Sequence, residues 1–215
     1  MELATVVVGA LENNCYILSS RQKNAAVIDP GSQADKILAA INERNLTVKY
    51  IILTHGHYDH IGAVSDIKQR FPEAEVCIGE HDAEMLANEE KSLARFAGFK
   101  NKANTLSCDI ELEDNDVLTL DELELKIMHT PGHTKGGICI VCGDLLFTGD
   151  TLFKGDCGRC DLYGGDFLTI KKSLNRLAAL EGDYKVLPGH GDFSTLEQER
   201  RTNRYIGNND YDNYF

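Results

Sequence analysis

Residues 54–60 read Thr54-His55-Gly56-His57-Tyr58-Asp59-His60, directly after the apolar run Tyr50-Ile51-Ile52-Leu53. A strand that ends in four ionisable side chains must stop at a sheet edge where they can share a positive partner. Crowding such groups together without one is costly, so a bound metal is the first expectation.

Three later stretches repeat that arrangement, each placing a ligand-type residue where an apolar strand gives way to a Gly- or Pro-containing turn. They are His129-Thr130-Pro131-Gly132-His133-Thr134, Phe147-Thr148-Gly149-Asp150-Thr151 and Leu187-Pro188-Gly189-His190-Gly191. Turns of this kind hold side chains at one edge of a rigid scaffold.

The rest of the chain alternates between strand and helix patterns. Residues 3–8, 14–19 and 25–29 read as an antiparallel meander, and Ser32 is expected to cap a helix with Ile37, Leu38 and Ile41 on one face. A buried strand at 48–53 delivers the histidine cluster, a helix over about 61–70 follows, and Val76–Ile78 is a short strand. Residues 80–105 read as polar and helical, interrupted at Gly98. Strands are expected at 107–112, 116–120, 123–128, 137–142 and 144–148. A helix opened by Asp166 then runs to about Leu180, followed by a strand at 185–187 and a last helix from Ser194. Strands, helices, strands, helices in two unequal halves fit an α/β fold with two sheets covered outside by helices, a four-layer αββα sandwich in one domain over 1–215.

Composition narrows the function classes. With 22 basic and 34 acidic residues the formal charge is −12, which disfavours a nucleic-acid partner. Arg200, Arg201 and Arg204 read as a solvated helix face. No apolar run approaches the ~18 residues of a membrane span and no basic segment opens the chain, so a cytoplasmic protein with no membrane partner is expected. An odd count of seven cysteines suggests free thiols. Cys139 and Cys142 lie on one strand and should face opposite sides of it. Cys157 and Cys160 share a glycine-rich loop. His81 and His129 fall outside the strand-end motifs and read as structural or surface residues. Asp29, beside Pro30 and Gly31, reads first as a turn carboxylate and second as a partner for a ligand histidine.

The four motifs in this order resemble the metallo-β-lactamase superfamily. The stretch Gly155 to Asp166, together with Glu199-Arg200-Arg201-Thr202-Asn203, is similar to its small glyoxalase II-like (hydroxyacylglutathione hydrolase-like) branch, with Cys160 in place of Thr or Ser and Tyr163 in place of Pro. The resemblance implies two divalent metal ions, zinc first and iron or manganese as alternatives. His55, His57 and His133 would hold one ion, Asp59, His60 and His190 the other, with Asp150 bridging. It implies hydrolysis of a small-molecule acyl thioester, with Asp59 as the catalytic residue that orients the attacking hydroxide, and Arg159 as a candidate to hold a substrate carboxylate. Only 25 residues follow His190, so a glutathione-binding part is expected to be absent or replaced by residues 80–105 and Arg159. The Cys157-Gly158-Arg159-Cys160-Asp161 loop also resembles that of persulfide dioxygenases, mononuclear-iron oxidoreductases, which is the competing reading.

Overall fold

The structure is a computed structural model describing residues 1–96 and 106–207. Two six-stranded sheets carry it. In the first, β1 (Glu2–Val8), β2 (Asn13–Ser19), β3 (Asn24–Ile28), β4 (Thr47–Leu53), β5 (Glu75–Gly79) and β6 (Ile110–Leu112) lie side by side in chain order. The first two pairings are antiparallel and the remaining three parallel. In the second sheet β7 (Val117–Leu120), β8 (Leu123–His129), β9 (Ile138–Cys142) and β10 (Leu145–Gly149) form an antiparallel run. That run continues into β13 (Lys185–Pro188), parallel to β10, and into β14 (Ser194–Thr195). A two-stranded ribbon of β11 (Leu152–Phe153) and β12 (Asp156–Cys157), which strand patterning does not reveal, stands apart.

Three apolar layers fix the stacking. Helices α1 (Ala34–Glu43) and α3 (Val64–Arg70) press Ile37, Ile41, Val64 and Ile67 onto Val27, Ile51 and Val76 of the first sheet. Residues on the opposite face of the first sheet, Tyr16, Ile28 and Ile52 among them, meet Leu125, Ile140, Phe147 and Leu187 between the sheets. Helices α5 (Phe167–Ala178) and α6 (Leu196–Thr202) cover the far face with Ile170, Leu174 and Leu196. Period-two alternation thus gives every central strand two apolar faces, and the result is the expected αββα sandwich. Cys139 belongs to the outer layer and Cys142 to the inter-sheet layer, on opposite faces of β9.

Several boundaries depart from the sequence patterns for local reasons. Ser32 does not cap α1: Gln33 precedes the helix in the left-handed region at φ 50°, and its side chain instead accepts the Gly9 amide. The helix expected over 61–70 is two pieces, α2 (Tyr58–Ile61) and α3, because the Ala63 amide donates to the Pro30 carbonyl outside the helix. The segment from residue 80 is a 3₁₀ turn (Glu80–Asp82) and a single helical turn α4 (Ala83–Leu86). Asn88 then accepts the amides of Glu90 and Lys91 in place of helical bonds. The rest of the expected 80–105 helix, including Gly98, lies at 97–105, outside the described residues, as does the tail beyond 207. Arg200 is not a solvated charge, since its guanidinium donates to the carbonyls of Ala178, Leu180 and Gly182 at and beyond the end of α5. The expected cap Asp166 does accept the Thr169 amide at 2.7 Å.

Candidate metal centre

The C-terminal ends of β3, β4, β5, β8, β10 and β13 all reach one edge of the sandwich. Beyond β4 come His55, His57, Asp59 and His60, beyond β8 His133, beyond β10 Asp150, and beyond β13 His190. The sheets are stitched together there by the Ile138 amide on the Thr54 carbonyl (2.8 Å) and the Asn14 amide on the Gly189 carbonyl (2.7 Å). Two glycines make the approach possible. A Cβ on Gly189 would stand 2.4 Å from Asp150 Oδ1 and 2.7 Å from His60 Cε1, and one on Gly158 would stand 1.9 Å from the Asp150 carbonyl oxygen.

Three overlapping sets of side chains converge: His55, His57 and His133; His55, His60 and Asp150; and Asp59, His60 and His190. His57 Nδ1 lies 3.0 Å from His133 Nε2, and His60 Nε2 lies 3.2 Å from His190 Nε2. Asp59 Oδ2 is 3.2 Å from His190 Nε2 and 3.6 Å from His60 Nε2. Asp150 reaches both ends, with Oδ1 3.4 Å from His60 Nε2 and Oδ2 3.5 Å from His133 Nε2.

The outward nitrogens decide what these rings offer. His133 Nδ1 faces the Arg159 carbonyl (2.7 Å) and His190 Nδ1 the Leu11 carbonyl (2.8 Å), partners that only accept, so each Nδ1 carries the proton. His60 Nδ1 faces the Asp29 carboxylate at 3.0 Å. The Thr54 hydroxyl donates to Asp29, which leaves it to accept from His55 Nδ1. Four rings therefore turn their Nε2 atoms inward, beside two carboxylates. His55 Nε2 and Asp150 Oδ1 are buried with no hydrogen-bond partner in the structure. Imidazole nitrogens and carboxylates aimed into one space fit cations, and imidazole with carboxylate suits a borderline divalent ion.

The electrostatics divide the centre into two ends. Burial and the neighbouring imidazoles hold His55 well below the ordinary histidine value, and burial is the main cause that lowers His57 to about 3. At the other end burial opposes the charged form of His60, but Asp150, Asp59 and Asp29 outweigh it and raise the ring's affinity for a proton. His190 is raised as well, burial again being outweighed, here by Asp59 and Asp150. Asp59 is pushed the other way: burial alone would raise it, yet His60 and His190 hold it well below the usual carboxylate range.

Asp29 is more than a turn residue. Wholly buried and at φ 50°, it accepts the Thr54 amide and hydroxyl at 2.7 and 2.6 Å and fixes His60. Asp82, which no motif marks, accepts the amides of Gly56 and Gly136; its one visible signal was its place just beyond a strand that ends at this edge. Arg159 lies at the rim, mostly exposed, its guanidinium paired with both oxygens of Asp161 at 2.7 and 2.8 Å. His81 and His129 stay outside, the first on Glu80 and the second on the Lys135 carbonyl. Cys157 and Cys160 are free thiols pushed up to about 12 and about 11, chiefly by burial, which leaves them poor nucleophiles.

Residues 8–190 match the sequence profile of the Metallo-beta-lactamase superfamily. The hydroxyacylglutathione hydrolase GloC of Haemophilus influenzae is 35% identical, over 96% of this chain and 98% of that protein. Among solved structures, the BLEG-1 B3 metallo-beta-lactamase superposes with a TM-score of 0.89 at 29% identity, covering 95% of this chain and 99% of that one. TTHA1623 in a di-iron-bound form gives 0.83 at 32%, with 94% and 99% covered. ETHE1 from Myxococcus xanthus gives 0.78 at 26%, with 95% and 84% covered.

Proposed function

The chain belongs to the metallo-beta-lactamase superfamily and is a metal-dependent hydrolase; from that premise we propose that it cleaves a small acyl thioester of the hydroxyacylglutathione kind. The observation that carries the reading is the double ligand set, two groups of inward-facing donors with Asp150 within reach of both. His55, His57 and His133 would hold one divalent ion and Asp59, His60 and His190 the other, with Asp150 between them. Zinc is our first assignment, and iron the alternative that the di-iron form of TTHA1623 supports. When bound, such a pair supplies a hydroxide at neutral pH and positive charge for the carbonyl oxygen.

The protein's own groups complete the reaction. Asp59, beside His60 and His190 at the second ligand set, accepts a hydrogen bond from the nucleophile and aims it. The Arg159 carbonyl fixes the His133 ring, while the guanidinium of the same residue stands at the rim. The Arg159–Asp161 pair is exposed to solvent and screened by it, so a substrate carboxylate can replace Asp161 at little cost. The partner is a small molecule, with neither nucleic acid nor membrane required. No helix among the described residues is long and apolar enough to cross a membrane.

The likeness to ETHE1 and the Cys157–Asp161 loop support a second reading, a mononuclear-iron oxidoreductase acting on a persulfide. One ion needs only three or four protein ligands, which would leave the remaining inward donors uncompensated. Metal analysis of the purified protein, with assays on an acyl thioester and on glutathione persulfide under oxygen, separates the two. Two equivalents of metal with thioester cleavage are expected. One equivalent of iron, oxygen uptake and an intact thioester would overturn the hydrolase reading.

A further inference from the structure

We propose that Asp82 is a positioning residue dedicated to the His55–His57–His133 end of the centre. The inference rests on reading those histidines as metal ligands. Asp82 follows β5 and is 0% exposed. Its Oδ2 accepts the Gly56 amide at 3.1 Å, and Gly56 lies between His55 and His57. Its Oδ1 accepts the Gly136 amide at 2.7 Å, three residues beyond His133. One carboxylate thus spans the loop that leaves the first sheet and the loop that leaves the second, and it does so only where the three-histidine set is assembled.

The contacts around it are close enough to transmit position. A Cβ on Gly136 would stand 2.3 Å from the Asp82 nitrogen, and one on Gly56 would stand 2.6 Å from Cβ of Met85 on the next turn. The 80–86 segment is therefore wedged between the two loops, and the carboxylate sets their separation. Asp29 fixes the His60 ring at the other end and also borders His55 through Thr54. Both buried carboxylates hold the 54–60 loop, but of the two only Asp82 also binds the loop that carries His133.

An amide in place of the Asp82 carboxylate offers only one oxygen acceptor for two backbone donors. Its NH₂ would face the second amide, and one of the loops would be left with a buried unpaired N–H. Asp82→Asn should therefore loosen one metal site and spare the other. The test is stepwise cobalt(II) titration of metal-stripped wild type, Asp82→Asn, Asp29→Asn and the double variant, read by visible absorption and chelator competition. Melting of each stripped protein is followed alongside. Wild type should take up two equivalents. Asp82→Asn should bind one of them about 10–100-fold more weakly, as loss of a supporting partner does elsewhere, with the other equivalent unchanged. Asp29→Asn, which touches His60 directly and His55 only through Thr54, should weaken the His60-containing equivalent more than the other, and the double variant both.

If Asp82→Asn titrates like wild type, the assignment is wrong. If it loses both sites equally, or the stripped variant no longer folds, Asp82 is a general structural residue and the dedicated role is equally overturned. A wild type that binds no cobalt refutes the metal-centre reading itself, a result distinguishable from either of these.

Discussion

Asp150 sits on the turn after β10 with Oδ1 toward His60 and Oδ2 toward His133, at 3.4 and 3.5 Å. Truncating it removes a carboxylate that faces both ligand sets and leaves opposing imidazoles unscreened. Asp150→Ala is expected to retain at most one equivalent of metal by elemental analysis and to lose thioester hydrolysis by at least ~100-fold, the scale of removing a group that holds catalytic charge. A variant that keeps both metal and activity contradicts the bridging role. At this scale the sequence was informative wherever several ligand types shared a strand end, which is why His55, His57, Asp59, His60, His133, Asp150 and His190 could be singled out together. Asp29 and Asp82 were harder to see. A solitary aspartate after a strand looks the same whether it shapes a turn or bonds to a distant loop, and only tertiary contact distinguishes the two.

Between elements, the turn before β7 is tied to α5 by Asp114 and Arg176, paired through both oxygens at 2.7 and 2.9 Å, while the His129 amide donates to the same carboxylate. Desolvation pushes Asp114 upward, but Arg176 and that amide outweigh it and its acidity lies below the ordinary carboxylate value. A carboxyl depressed in the folded state stabilises above its unfolded value of about 3.9 and loses that contribution as pH falls through the folded value. Melting temperatures measured from about pH 5 down to about pH 3 should fall less steeply for Asp114→Asn than for wild type; parallel slopes would show that the pair contributes nothing. Strands and the long helix α5 were legible because period-two and 3.6-residue patterns average over several turns. The ends near the centre were not. Gln33 and Ala63 each redirect the chain through a bond to a group far away in sequence, Gly9 and Pro30 respectively.

At the level of the whole molecule, each sheet supplies part of one centre, so metal binds the folded arrangement and not the unfolded chain. Ligand present at a hundredfold excess over its dissociation constant stabilises by about 2.7 kcal/mol, which for a chain of this size shifts melting by about 5–10 °C. Chelation should lower the melting temperature by that amount, and metal should restore it. The effect should be local as well. Among the described residues, the backbone bonds Asn14 to Gly189 and Ile138 to Thr54 cross between the sheets at this edge. In stripped protein those two amides should exchange with deuterium faster, while the Ile17–Val27 pairing inside the first sheet keeps its protection. The mouth that admits substrate is then also the seam where the two halves first part, and metal starvation in a cell would expose the chain to proteases from the catalytic side.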